Sequence, residues 1–363
     1  AVDFLSRIDR HIAAGHMLCG WIGFEVGLAL EGLQLGRRRR PHLPDAHFWV
    51  CEPAAIESVD LGPAAHASPL AAPRQWLDQR GDFVAAVDDL QRSIGAGDVY
   101  QANLTVELRL DGNLGQPGPA LLQSISSAQP VPFASVLDAG DGSTLCCGSM
   151  ERFLCIDGDE ATSRPIKGTA ARGFDADSDR ALRDGLVASP KERAENLMIV
   201  DMVRHDLGRV AAPNRVDVTA LLEPVGYRTL WHLESEIAAT LRPGVALAQV
   251  LAATLPPASV TGAPKIAACR RIAALEHRRR GPYCGAIGVF LPNRHVRLAV
   301  GIRLAWQDEA SIVIPVGAGI VADSVAEAEW RELLLKADGT LAWLGANAGD
   351  AITIRDATTG RQE

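Results

Sequence analysis

The 363 residues include seven cysteines but no C-x-x-C pair, which argues against a structural zinc site. The odd number and the scatter of Cys19, Cys51, Cys146, Cys147, Cys155, Cys269 and Cys284 do not suit a disulfide framework and predict reduced thiols in a cytoplasm. No apolar stretch reaches the roughly 18–20 residues of a membrane-crossing helix. No signal-peptide pattern is visible. Positive charge is not in excess either. The net charge is -8, and a nucleic-acid partner, which needs a basic footprint, is not expected. An acidic chain can still hold a small anion through cations inside a pocket. No internal repeat is visible.

Hydrophobic residues make up 47 % of the chain, enough for a substantial core. The length allows one large or two medium domains. Residues 1–75 read as an opening strand-and-loop region of the same fold, 76–345 as the catalytic core and 346–363 as a polar tail. In the opening region, "LCGWIGFEVGLAL" (18–30) is strand-like, and "GRRRRPHLP" (36–44) is a solvated turn. A loop rich in proline, alanine and serine follows (57–73). From Trp76 onward the pattern tightens. "DFVAAVDDLQRSIGAGD" is an amphipathic helix, and "VYQANLTVELRL" alternates as a half-buried strand does. "PFASVLDAG", "STLCCGS" and "RFLCIDGDEATSRPI" continue as strands with Asp-Gly turns. Helices are expected over 190–207, from about 263, and from 325 to about 336. Strands are expected at "RTLWHLESEIAATL", "CGAIGVFL", "VRLAVGIRLAWQ" and "ASIVIPVGAG". Runs of strands broken by single helices predict an α+β fold.

Several segments carry residues suited to chemistry. In "ASPKERAENLMIV", Ser189, Pro190 and Glu192 spell a capping box, and Glu195 shares a helix face with Glu192. "ADSVAEAEWRELLLKA" repeats the design. Ser324 and Glu327 read as a second capping box, and Glu329 and Glu332 lie three apart, with Lys336 four further on. Two such acidic faces suit one hard cation between them, and magnesium keeps waters and leaves room for a substrate carboxylate. Each face read alone is a solvated surface. "ASVTGAPKIAACRRI" puts Thr261 and Gly262 before a helix start that favours an anion. Gly262 suggests close approach by a ligand, and capping alone would explain Thr261. "PVGAGIVADS" reads as a strand, then Gly317 and Gly319, then a helix. Arg303, on an alternating strand, has a fork suited to a carboxylate. His232 reads equally as a structural or a catalytic group. Lys167, in the apolar stretch "RPIKGT", could act as a nucleophile if it lost its proton. Glu151, sixteen residues earlier, could move protons to and from a leaving group.

In order along the chain, "GDVYQANLT", "MERFL", "RPIKGT", "AENLMIVDMVRHDLGRV", "SVTGAPK", "YCGAIG" and "GAGIVADSVAEAEW" resemble the chorismate-utilising enzymes. These include anthranilate synthase component I, the isochorismate and salicylate synthases, and aminodeoxychorismate synthase component I. The resemblance implies one large sandwich of two facing antiparallel sheets with flanking helices. It implies magnesium on Glu195 and Glu332, with Glu192 and Glu329 nearby. It places Thr261, Gly262, Tyr283, Arg303, Gly319, Lys336 and His232 around chorismate, and Lys167 and Glu151 at the chemistry. Anthranilate synthases carry alanine at the position of Lys167, and the water-adding members carry a base lysine where Gln101 stands. The pair Gln101 and Lys167 is therefore similar to the aminodeoxychorismate branch, which leads to 4-aminobenzoate and folate. That branch implies amination of chorismate with ammonia from a separate glutamine amidotransferase, and a downstream lyase as a separate enzyme. The alternatives are anthranilate synthesis, or a non-catalytic chorismate-binding or scaffold subunit.

Overall fold

Alternating apolar positions along the chain resolve into two antiparallel sheets. The computed structural model describes residues 2–33, 43–58, 74–75, 80–114, 118–138 and 143–344. The arginine run at 37–40, most of the proline-rich stretch, the Trp76 boundary and the tail beyond 344 lie outside the described residues. With strands numbered along the chain, the nine-stranded sheet begins at one edge with β10 (Ala211–Gly226), β11 (Leu230–Leu241), β8 (Glu160–Arg164) and β7 (Arg152–Asp157). It continues through β14 (His295–Val300), β13 (Ala286–Leu291), β1 (Met17–Ile22) and β2 (Ala46–Cys51), while β9 (Ile166–Ala171) also pairs with β11. The seven-stranded sheet runs β12 (Gly262–Ala263), β4 (Gln101–Asp111), β16 (Ser311–Ile320), β15 (Leu304–Asp308), β6 (Thr144–Ser149) and β5 (Phe133–Asp138). There β3 (Arg74–Gln75) pairs with β4. The helices are α1 (Val2–Ala13), α2 (Phe24–Leu30), α3 (Arg80–Gly95), α4 (Gly118–Ala128), α5 (Ala176–Ala188), α6 (Pro190–Gly208), α7 (Leu247–Thr254), α8 (Lys265–Leu275) and α9 (Ala326–Leu341).

The fold is α+β, with one apolar core shared by the two sheets. Leu154, Ile156 and Leu298 from the larger sheet and Leu104, Leu108, Ile312 and Ile314 from the smaller belong to a single buried cluster. Burial of each such side chain contributes about 1.5–3 kcal/mol. No helix among the described residues is long and apolar enough to cross a membrane, and all seven cysteines are free.

Four sequence expectations change. The strand expected over 18–30 is β1 followed by α2, because a seven-residue helix buried on nearly every side reads as the same apolar run as a strand. The single strand expected over 296–307 is two strands in different sheets, and the chain crosses between them at 301–303. Arg303 therefore sits on a left-handed turn, φ 48°, and not on a strand face. Gly317 and Gly319 do not end their strand; β16 runs through both. The second capping box is not formed, since the N-cap of α9 is Val325 and the Ser324 hydroxyl donates to Glu329 Oε1 at 2.7 Å. The first is half present, with Ser189 Oγ accepting from the Glu192 N–H at 3.4 Å.

Candidate active site

Lys167 lies on β9, which is pinned in place from two sides. It pairs with β11, and Asn196 of α6 donates to Lys167 O at 3.3 Å and to Leu233 O at 3.1 Å. Ser235 Oγ donates to Asn196 Oδ1 at 2.6 Å, which fixes the amide's orientation. Gly168, at φ 96°, lets β9 lie against α6, where a Cβ would sit 3.1 Å from Glu192 Oε2. Asn196 was not singled out in the sequence; its signal was a polar residue on the apolar face of a helix. The Lys167 side chain reaches the seven-stranded sheet. A Cβ on Gly319 would lie 3.6 Å from Lys167 Nζ and would overlap the Gln101 amide. Gln101 is 2 % exposed, and its Oε1 has no hydrogen-bond partner.

The charge of Lys167 is felt by groups on several elements. It favours ionisation of Glu151, Glu192, Glu195 and Glu332, and it disfavours the charge on Lys336. Glu151 precedes β7 and is buried. Burial pushes its carboxyl up to about 7, against the Ser259 hydroxyl, the Lys167 charge and the Ile166 N–H, which donates to Oε1 at 3.4 Å. Burial also raises Glu192, aided by Glu195 and Glu332, and it raises Glu195, aided by Glu329 and Glu332. Burial acts on Glu332 as well, but the Lys336 ammonium 2.7 Å away outweighs it and holds that carboxyl below its usual range. The carboxylates of α6 and α9 thus face one another and repel.

Lys336 also donates to Gly317 O at 2.8 Å, and burial lowers its pKa. Its own carbonyl accepts from Arg303 Nη1 at 3.0 Å. Burial works against the Arg303 charge, which Tyr283 and Glu332 support. Tyr283 is buried, and desolvation holds its phenol well above the usual range. His232 is pushed down to about 4 by burial, with Arg303 and Lys336 contributing. Its Nδ1 shares hydrogen bonds with Gly168 O at 3.2 Å and Thr169 Oγ1 at 3.0 Å, whereas Nε2 is buried without a partner. Because a carbonyl only accepts, Nδ1 carries the proton and Nε2 presents a lone pair.

Two expected substrate contacts also have structural roles. The Thr261 hydroxyl donates to Ala258 O at 2.9 Å, within its own turn. A Cβ on Gly262 would overlap Gln101 O, so the approach of the β4 backbone by itself requires glycine at this position. Lys167, Glu151, Gln101, Gly319, His232, Tyr283, Arg303, Lys336 and the four glutamates do gather at the seam between the sheets.

Among the described residues, no three His, Cys, Asp or Glu side chains stand close enough together to grip a metal ion. The donor set itself suits a hard cation. It is oxygen only, and the mutual repulsion across α6 and α9 is what such an ion would relieve. Glu332 and Glu329 would have to exchange Lys336 and Ser324 for it.

A family profile described as chorismate binding enzyme matches residues 55–342. The chain belongs to the chorismate binding enzyme family. Within it, the chain is 39 % identical over 276 residues to aminodeoxychorismate synthase of Streptomyces pristinaespiralis, covering 76 % of this chain and 38 % of that protein. It is 33 % identical over 290 residues to aminodeoxychorismate synthase component 1 of Bacillus subtilis, covering 80 % and 60 %. It is also 34 % identical over 267 residues to an anthranilate synthase component 1 of Halobacterium salinarum, covering 72 % and 50 %. The chain therefore spans less than two thirds of the length of these relatives. Among solved structures, anthranilate synthase component I from Streptococcus pneumoniae superposes with a TM-score of 0.78 at 27 % identity, covering 90 % of this chain and 80 % of that one. The menaquinone-specific isochorismate synthase MenF of Escherichia coli, at 22 % identity and a TM-score of 0.70 over 80 % of this chain and 66 % of that one, shares the fold. An anthranilate synthase and an isochorismate synthase thus share this architecture.

Proposed function

We propose that the chain is an aminodeoxychorismate synthase component I, which converts chorismate and ammonia to 4-amino-4-deoxychorismate. The observation that carries this reading is Lys167, which stands beside Gln101 at Gly319 and within electrostatic reach of Glu151. Arg303, on its left-handed turn, offers its fork to one substrate carboxylate. Glu195 and Glu332, with Glu192 and Glu329 nearby, would hold magnesium. Bound there, the ion would supply a Lewis-acidic grip on the second carboxylate and would neutralise part of the acidic field around Lys167.

The chain's own residues then carry the proton and the covalent steps. Lys167, once its ammonium has released a proton to solvent, attacks C2, the diene shifts, and the C4 hydroxyl departs as water with the proton of Glu151. Glu151, at about 7, keeps a large protonated fraction at neutral pH, as this step requires. Ammonia then attacks C4, the double bonds shift back, and the lysine amine leaves C2. Two displacements retain configuration at C4, and the enolpyruvyl group stays on the ring. Ammonia would come from a separate glutamine amidotransferase, and 4-aminobenzoate would need a separate lyase.

The second reading is anthranilate synthesis, supported by the relatives of that name and opposed by Lys167. Incubation with chorismate, magnesium and an ammonium salt separates the two. Fluorescent anthranilate is the product of the second reading; 4-aminobenzoate that forms only after a lyase is added is the product of the first. Lys167→Ala is expected to abolish aminodeoxychorismate formation, and mass spectrometry during turnover is expected to find a Lys167 adduct. Full synthesis by the alanine variant would rule out the covalent route.

A further inference from the structure

A buried acid must recover its proton after every turnover, and the Glu151 carboxyl is 3 % exposed. It faces Lys167 of β9 on one side, with Glu234 of β11 and Tyr227 also within electrostatic reach. On another side it lines a small, partly open pocket together with Arg152, Ser163, Thr254, Asp206 and Ser259. The pocket has room for about one water molecule. Ser259, 7 % exposed, shares that pocket wall, and its hydroxyl favours the ionised form of the Glu151 carboxyl. Of the other lining residues, Asp206 accepts through Oδ2 from Lys265 Nζ at 2.5 Å, and the same ammonium donates to Thr254 O at 3.1 Å and Pro256 O at 2.9 Å. The three Lys265 protons are thereby engaged, which holds the Asp206 carboxylate at the pocket wall.

We propose that Ser259 is a positioning residue and proton relay for Glu151: its hydroxyl, with one solvent molecule in the pocket, links the Glu151 carboxyl to Asp206. The inference rests on Glu151 being the acid of the proposed reaction. It holds whether nitrogen adds at C2 or C4, since both routes lose the C4 hydroxyl. The balance is simple. Glu151 gives one proton to the departing hydroxyl, which leaves as water, and becomes a carboxylate. Incoming ammonia ends as an ammonium on the product and carries its own protons away. One proton therefore returns to Glu151 from bulk solvent, passed by the pocket water to Ser259 Oγ while the Ser259 proton moves to Glu151. No other species is consumed.

The test uses the full chain with chorismate, magnesium and ammonium chloride. Ser259→Ala is expected to lower kcat about tenfold to a hundredfold, below the range for a group that itself protonates the substrate, with little change in KM. Its solvent deuterium isotope effect on kcat should rise. The alkaline limb of its pH profile should move to higher pH, because the lost hydroxyl favoured the ionised carboxyl. Ser259→Thr, which restores a hydroxyl, should recover most of the rate. Unchanged kcat, isotope effect and pH profile in Ser259→Ala, or a folded Ser259→Thr that stays as slow as Ser259→Ala, would overturn the relay. If the parent chain consumes no chorismate with ammonia, the functional reading fails on its own. An infrared titration then still decides the Ser259 contact. The carbonyl band of the protonated Glu151, assigned with Glu151→Gln, should persist to higher pH in Ser259→Ala, and an unmoved titration would refute the contact.

Discussion

Burial carries the Glu151 carboxyl from 4.5 to about 7, and the same displacement makes it a site of stored instability. Between those values the native chain keeps a proton that the unfolded chain has released. Native stability therefore falls as pH rises through this window, and it is level above it. The full difference corresponds to about 3 kcal/mol. Glutamine has nearly the same shape and does not ionise. Glu151→Gln is thus expected to match the parent near pH 4 and to be more stable by up to about 3 kcal/mol at pH 8, while losing the proposed amination of chorismate. Urea midpoints at the two pH values measure this; a variant no more stable at pH 8 would mean the carboxyl is not desolvated as described. At this scale the sequence was informative where chemistry was specific. Lys167 and Glu151 stood out as candidates because a nucleophile and its acid would need those groups. Gly262 and Thr261 did not separate a structural role from a binding one, because a backbone neighbour and a ligand demand the same small residue.

The facing helices α6 and α9 were legible as elements from their apolar spacing, α6 also from its start signal, and so were their paired glutamates. What spacing cannot give is the partner across the gap: only the fold shows that Glu195 feels Glu329 and Glu332, and that Glu332 is already tied to Lys336. The strands around them were legible for a related reason, since alternation fixes which face is buried. The break at 301–303 was not, because nothing in "VRLAVGIRLAW" other than Gly301 marks a change of sheet. The crowding of carboxylates sets up a reversal with metal. Without magnesium, Glu195→Gln should relieve repulsion and raise stability by a few tenths of a kcal/mol, the scale of like-charge pairs on helices. With saturating magnesium the parent gains stability by mass action and the variant gains less, so their order inverts. Thermal melts with chelator and with magnesium chloride read this directly. Parent and variant shifting equally with magnesium would take Glu195 out of the ion's reach.

Across the whole molecule, one buried guanidinium joins segments that belong to different sheets. Arg280, 1 % exposed, donates through Nε and Nη2 to both oxygens of Glu276 at 2.9 and 2.7 Å, through Nη1 to Val260 O at 3.1 Å and through Nη2 to Asn103 O at 2.5 Å. Its guanidinium lies 4.2 Å from the centre of the Phe24 ring of α2. The backbone N–H groups of Arg280 and Gly281 donate to Glu25, also of α2, at 2.7 and 3.0 Å. Glu276 in turn accepts from the Thr105 N–H of β4 at 2.9 Å. The knot therefore ties the helix that follows β1 of the larger sheet to β4 of the smaller. It also anchors the turn that presents Tyr283. Removing one member of such a buried pair strands the other charge, so Arg280→Ala is expected to cost about 3–5 kcal/mol. Arg280→Lys should recover little, because an ammonium cannot reproduce a planar fork that serves four acceptors. The double variant Arg280→Met with Glu276→Met removes both charges and should be more stable than Arg280→Ala, although it leaves the Thr105 N–H without its acceptor. Urea unfolding of the three variants tests the argument. If the double variant is no more stable than Arg280→Ala, the loss comes from the severed contacts to Val260 and Asn103, and the stranded Glu276 charge is not its cause.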